Sequence, residues 1–214
     1  MRIAVLGTGV VGRTLSEALV GSGNEVIMGS RTSDNAEAVS WSKAAGPSAS
    51  NATFADAAAA AEVVVNATKA AFSLDALKLA GAANLSGKVV IDVANPVDFS
   101  AFPPAMLFPG ESLAERIQAA FPDARVVKTL NTMNADVMVE PSIVRGAHAV
   151  FLCGNDDAAK TIVRGLLEGF GWPDERILDL GPLPHARSME MYLPLWVSLR
   201  GVTGTDHFNI QVDR

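Results

Sequence analysis

The sequence predicts an α/β protein built on a doubly wound, mostly parallel sheet, and three observations predict it. Apolar runs of strand length alternate with segments whose apolar residues recur at helical spacing. Several runs, such as Val63-Val64-Val65 and Val89-Val90-Ile91, are apolar without interruption, as strands covered on both faces are. The first run opens directly into a glycine-rich turn and then a helix, the order of a βαβ unit. At 214 residues the chain suits one Rossmann-type domain over residues 1–214, with a C-terminal extension of the same domain over about 181–214.

The elements follow in order. Arg2 to Leu6 is a strand that feeds into Gly7-Thr8-Gly9-Val10-Val11-Gly12, which satisfies G-x-G-x-x-G. The next helix carries Val11, Leu15, Ala18 and Leu19 on one face and stops at Gly21-Ser22-Gly23. A second strand from Glu25 to Met28 ends in Gly29-Ser30-Arg31. Helices are expected from Asp34 to about Ala45 and from Phe54 to Ala61, then a buried strand from Glu62 to Ala67. Ser73 to Ala80 reads as a helix ending at Gly81, and Lys88 to Val93 as another buried strand. The stretch from Ala94 through Pro109 is proline-rich and reads as irregular. Ser112 and Glu115 form a capping box opening a helix with Leu113, Ile117 and Ala120 on one side. Further strands are expected at Arg125 to Leu130, Ala147 to Cys153 and Arg176 to Leu180. Asp156 caps the helix bearing Ile162, Val163, Leu166 and Leu167, and a last helix runs around Arg187 to Leu199.

The glycine turn carries the first chemical inference. Gly7 permits the tight turn, Gly9 lets a pyrophosphate approach the backbone, and Gly12 lets helix and strand pack closely. Unpaired N–H groups and the positive dipole end at the helix N-terminus favour the phosphates. A packing-only role for the glycines is the bland alternative, but strand, turn, helix and second strand all occur in the required order. The end of the second strand then identifies the dinucleotide. An NAD site places a carboxylate about 20 residues past the glycines, whereas Arg accommodates a 2′-phosphate. Here Ser30, Arg31 and Thr32 stand at that point, with no carboxylate until Asp34. A guanidinium forks onto phosphate and stacks on adenine, so NADP is expected rather than NAD.

Composition narrows the partners. Apolar residues make up 49% and charged residues 19%, enough for a core and against disorder. A net charge of -6 disfavours nucleic acid. Cys153 is the single cysteine, so neither an internal disulfide nor a cysteine-rich metal site can form, and no metal site is expected. Gly7-Thr8-Gly9, Arg13 and Glu17 interrupt any leader-like apolar segment, and no stretch approaches the roughly 18 apolar residues of a membrane span. A cytoplasmic protein acting on a small-molecule redox acceptor, without membrane partners, is expected.

Ligands of open parallel sheets bind at the carboxyl ends of the strands. That rule gathers Gly7 to Val11, Ser30 to Thr32, Ala67-Thr68-Lys69, Ala94 to Pro96 and Asn131 to Asn134 into one rim. The rim is poor in acids and bases. Ketone or imine reduction needs a proton donor, yet His148, His185 and His207 read as surface or packing residues and Tyr192 as core. Lys69 and Lys128 lie near the rim as phosphate contacts or solvated side chains. Hydride transfer between a nicotinamide and a flavin-like ring needs no such donor, because positioning does most of the work. Asn131-Thr132-Met133-Asn134 supplies amides, a hydroxyl and a thioether suited to a flat conjugated ring, with Asn95 orienting it.

On these residues the chain resembles the NADP oxidoreductases that use coenzyme F-420, together with their bacterial dinucleotide-binding relatives. The resemblance rests on Gly7 to Gly12, Gly29-Ser30-Arg31, Asp92 to Pro96 and Lys128 to Met133. It continues through Cys153-Gly154-Asn155-Asp156-Asp157, Gly181-Pro182-Leu183, Arg187 and Glu190. It implies that Thr8, Ser30 and Arg31 hold the 2′-phosphate side, and that Asn95 and Asn131 to Ala135 border the nicotinamide and a second ring: coenzyme F-420, FMN or FAD. Asn35 stands where the family tends to carry a lysine, and Asn131-Thr132-Met133-Asn134 replaces a His-Thr-x-Pro segment. That replacement is similar to the bacterial branch and to the cytosolic domain of the six-transmembrane metalloreductases. A non-catalytic NADP sensor and an NADPH-dependent imine or carbonyl reductase are the competing expectations. A homodimer is expected through the apolar segment Met189 to Trp196, bent by Pro194.

Overall fold

A computed structural model describes residues 1–100 and 102–213. The first half of the main sheet alternates strand and helix without exception: β1 (Arg2–Leu6), α1 (Val10–Gly21), β2 (Glu25–Ser30), α2 (Ala36–Ala45), β3 (Ala49–Thr53), α3 (Phe54–Ala60) and β4 (Val63–Asn66). Then come α4 (Ser73–Ala80), α5 (Ala82–Leu85), β5 (Val89–Asp92), a small antiparallel pair of β6 (Val97–Asp98) and β7 (Ala105–Met106), and α6 (Leu113–Ala120). The chain continues through β8 (Arg125–Thr129), α7 (Ala135–Val139), β9 (Val150–Gly154), α8 (Asp157–Gly169), β10 (Ile177–Asp179) and α9 (Ala186–Thr203). The eight-stranded sheet has the order β10-β9-β8-β5-β4-β1-β2-β3.

Side-chain alternation along the strands builds two cores. On β1, Ile3 and Val5 enter the cluster under α1, α2, α7 and α8, while Ala4 and Leu6 enter the one under α3 to α6 and the start of α9. Helices present matching stripes: Leu15 and Leu19 from α1, and Val163, Leu166 and Leu167 from α8. Each such side chain contributes about 1.5–3 kcal/mol when fully buried. Helix starts are fixed by the residues that precede them. Asp156 accepts from the Ala159 N–H at 2.7 Å, and Ser112 and Glu115 form the expected reciprocal capping box.

The mostly parallel, doubly wound sheet is thus as the sequence predicts, with four differences. First, β3 has no apolar run because it is an edge strand whose residues are half-exposed. Second, β9 pairs antiparallel with β8, and β10 parallel with β9, so these two strands run against the other six. His148, which precedes β9, therefore stands at the same edge as the carboxyl ends of the other six strands of the sheet. It is nonetheless a packing residue: its ring bonds the Pro141 carbonyl at 2.9 Å and packs edge-on against Trp172. Third, the proline-rich stretch after β5 includes the β6–β7 pair. Fourth, α9 runs through to Thr203 with Pro194 inside it, and Tyr192 is half-buried rather than core. Among the described residues no helix is long and apolar enough to cross a membrane.

Candidate functional site

The carboxyl ends of β1, β2, β4, β5 and β8 bring the predicted rim segments to one edge of the sheet. At its centre α1 begins without a side-chain cap, since Gly9 precedes it in extended backbone. The uncapped N–H groups point into the turn, a ready anion site. The three glycines divide their work in a way that geometry resolves. Gly7 has φ +124°, and a Cβ there would lie 2.5 Å from the Ala67 carbonyl oxygen. A Cβ on Gly12 would strike the Gly7 carbonyl. A Cβ on Gly9 would meet nothing within 4 Å. Gly7 and Gly12 therefore serve packing, whereas Gly9 leaves space open in front of the helix.

That space continues into a cleft of about 550 Å³ toward the end of β2. Of the predicted residues, Gly7, Thr8, Gly9, Ser30, Arg31, Ala67, Thr68 and Lys69 line it. Thr32, Val10 and Val11 do not: Thr32 and Val10 are exposed outside the cleft, and Val11 packs on the core. Ser30 Oγ donates to the Thr32 carbonyl at 2.6 Å, holding the turn that presents Arg31. Sequence reasoning missed the opposite wall, formed by Phe54, Phe72, Asp75, Ala76 and Leu79, with Asn35 beside Arg31. Phe72 and Leu79 are 61% and 59% exposed, which is costly for large apolar side chains and suits a flat ligand. An exposed apolar residue on an otherwise amphipathic helix was the available signal.

The other end of the rim is built differently. Leu130 follows β8 with φ +62°, a left-handed conformation that costs a branched residue about 1–2 kcal/mol. The bend turns the next residues inward. Asn131 Nδ2 donates to Asn95 Oδ1 at 2.9 Å and to the Met189 carbonyl at 3.0 Å, and Asn95 Nδ2 donates back to the Asn131 carbonyl at 2.7 Å. Thr132 and Ala135 are buried, and Met133 belongs to the core. Asn134 caps α7 by accepting from the Asp136 N–H at 2.8 Å. The segment from Asn131 to Ala135 thus holds the rim together, and Asn95 is its half-exposed side chain.

Beneath Asn95 lies a charge cluster that the sequence did not reveal as one. Lys128 is fully buried, not solvated. Its Nζ sits 2.8 Å from Asp92 Oδ2 and 2.9 Å from Glu190 Oε1, and donates to the Ala94 carbonyl. Glu190 Oε2 accepts from the Leu113 N–H at 2.9 Å. Burial opposes charge on Lys128, but the two carboxylates outweigh it and hold its pKa above the ordinary lysine value. Burial pushes the Glu190 carboxyl up, with Lys128 pulling it down and Asp92 adding to the rise. Asp92 Oδ1 accepts from Asn66 Nδ2 at 2.8 Å, and Asn66 Oδ1 accepts from Thr68 Oγ1 at 2.6 Å. One polar chain therefore runs from the cleft to α9. The clue was a lysine inside an apolar strand, which demands a carboxylate partner.

Of the remaining titratable groups, His207 lies beside this edge, with its Nε2 3.3 Å from Asp136 Oδ2 at the start of α7. Burial pushes the Cys153 thiol up to about 12. His185 and His207 are exposed, and burial raises the Tyr192 hydroxyl. Among the described residues, no three His, Cys, Asp or Glu side chains are grouped to hold a metal ion.

Comparison with known proteins places this geometry in a family. Residues 2–96 match the model of the coenzyme F-420-dependent NADP oxidoreductases. A candidate F-420-dependent NADP reductase from an Arthrobacter species superposes with a TM-score of 0.94 at 48% identity, covering 100% of both chains. A hypothetical protein from Sinorhizobium meliloti has a TM-score of 0.67 at 27% identity over 87% of this chain and 88% of that one. The rat metalloreductase STEAP3 is 30% identical over 200 residues, 91% of this chain and 38% of its own length. The chain thus spans under two fifths of that curated relative. A reductive aminase from Aspergillus terreus shares the fold, with a TM-score of 0.67 at 20% identity over 95% of this chain and 62% of that one.

The open space at Gly9 gives a direct test. Gly9→Val should fold with an unchanged far-UV circular dichroism spectrum and lose dinucleotide binding, because its side chain fills ligand space rather than core. Tight binding by the folded variant would refute the site.

Proposed function

Because the chain belongs to the coenzyme F-420-dependent NADP oxidoreductases, we propose that it transfers hydride between NADP(H) and a flavin or deazaflavin ring: coenzyme F-420, FMN or FAD. The observation that carries the cofactor reading is the cleft that joins the uncapped α1 N-terminus to Ser30-Arg31 with no carboxylate at the end of β2. NADP, when bound, supplies the nicotinamide that gives up or accepts the hydride.

The chain's own residues divide the binding. N–H groups at the start of α1 meet the pyrophosphate, and Thr8, Ser30 and Arg31 meet the 2′-phosphate. Lys69 adds a point charge from the facing loop. Arg31 on one wall and Phe72 with Leu79 on the other flank the adenine plane. Asn95, fixed by Asn131, orients the nicotinamide and the second ring, so that Asn131 to Asn134 act as a positioning segment. The exposed His207 beside this end of the rim is engaged with Asp136, its Nε2 3.3 Å from Oδ2, and the side chains that meet at the rim itself, Asn95 and Asn131, carry no titratable proton. The chemistry that fits is therefore transfer between two rings held face to face, with the protein contributing orientation. Similarity to a metalloreductase over most of the chain supports reductase chemistry.

The exposed side chains of α9 support a second copy as partner. Met191, Leu195, Leu199 and Val202 recur at helical spacing and are 65%, 56%, 36% and 87% exposed. We place the dimer contact on this stripe; a monomeric mass by light scattering at micromolar concentration would exclude it.

The functional test is NADPH oxidation with FMN as acceptor, in the wild type and Arg31→Ala. A lost charge-assisted contact is worth about 1.5–3 kcal/mol. The variant should bind NADPH roughly ten- to a hundred-fold more weakly and NADH almost as before. The wild-type rate should lack a bell-shaped profile between about pH 6 and 9. Equal losses for both dinucleotides, or a sharp optimum traceable to Lys69 or a histidine, would contradict the proposal.

A further inference from the structure

We propose that the buried Asp92–Lys128–Glu190 cluster sets the balance between oxidised and reduced dinucleotide, its net negative charge favouring the cationic nicotinamide of NADP+ at the Ala94–Asn95 end of the rim. The inference rests on the dinucleotide reading above and goes beyond it, since none of the three side chains reaches solvent.

Position comes first. The cluster is wired to the backbone that ends β5: Lys128 Nζ donates to the Ala94 carbonyl, and the Ala94 N–H donates to Asp92 Oδ1 at 3.3 Å. With the pyrophosphate at α1 and the adenosine over β2, the nicotinamide half of a dinucleotide extends over the ends of β4 and β5. The cluster therefore lies under the ring, separated from it by the Ala94–Asn95 backbone.

Charge comes second. Two carboxylates face one ammonium, so the cluster carries a formal charge of minus one when all three ionise. At zero exposure that charge is little screened by salt. The groups facing Glu190 from each packed element are Asp92 on β5, Lys128 on β8, the neutral Cys153 thiol on β9 and the Leu113 N–H at the positive end of α6. Arg187, on the same helix, is committed to Glu115 at 2.6 and 2.7 Å and does not neutralise the cluster. Lys128 and the α6 terminus favour an ionised Glu190, whereas burial and Asp92 oppose it.

Chemistry supplies the discrimination. NADP+ and NADPH differ in one unit of charge on the nicotinamide and share every phosphate, so the ratio of their affinities isolates the field at the ring. A negative cluster stabilises the cation and leaves the neutral reduced ring almost untouched. Burial raises the Glu190 carboxyl, so its charge is present above its shifted pKa and lost below it. The preference for NADP+ should accordingly strengthen as pH rises and fade as pH falls.

The test is the ratio of dissociation constants, NADP+ by calorimetry and NADPH by its fluorescence, in the wild type and Glu190→Gln. The variant should bind NADP+ about tenfold more weakly relative to NADPH, with NADPH affinity changed by less than about threefold. An unchanged ratio in the folded variant overturns the inference. If the variant does not fold, the same ratio in Asp92→Asn, which removes the same unit of charge from the cluster, decides. A comparable loss of NADP+ preference supports the cluster's role, and an unchanged ratio overturns it. Binding of neither dinucleotide would instead bring down the functional reading, and this inference with it.

Discussion

An ammonium group buried between two carboxylates constrains the rest of this molecule. Lys128 stands in the middle of the sheet, on a strand flanked by β5 and β9. Leaving its charge unpaired there would cost several kcal/mol. Asp92 answers from the neighbouring strand and Glu190 from α9, so the last helix must return to the carboxyl edge of the sheet. Once it does, the Met189 carbonyl reaches Asn131, Asn131 locks Asn95, and the left-handed Leu130 is held in place. Strain at one residue is thus stabilised by a network that no local segment could build alone.

The two ends of the rim follow opposite strategies. At the proposed adenosine end the backbone steps back and leaves a cleft, with exposed Phe72, Leu79 and Arg31 around it. At the proposed nicotinamide end most side chains turn inward and bond each other, presenting backbone and the half-exposed amides of Asn95 and Asn134. Loose, apolar walls suit recognition of a cofactor that comes and goes. A rigid, cross-bonded edge suits a reaction whose rate depends on the distance between two rings.

Local chemistry was legible in the sequence; long-range pairing was not. The glycine turn, the ends of α4 and the Ser112–Glu115 capping box depend on residues within a few positions of one another, and each was readable. The same holds for the Ser30-Arg31 end of β2, fixed by strand length alone. The edge strand β3 lacks an apolar pattern because only one side of it is paired. The reversed direction of β9 left no local mark, since a buried strand has the same composition in either orientation. Lys128 was read as a rim or solvated side chain because its partners lie 36 residues before it and 62 after it. Phe72 and Leu79 were missed for a related reason: their exposure becomes meaningful only once the facing wall is known.

The central claim is that this rim aligns a nicotinamide with a second flat ring. Stopped-flow oxidation of NADPH with FMN, FAD and coenzyme F-420 in parallel tests it most directly. Rapid single-turnover oxidation by at least one of these rings, with NADPH much preferred over NADH, is the predicted result. NADPH that binds tightly and is oxidised by none of the three would contradict the account and leave a dinucleotide sensor in its place.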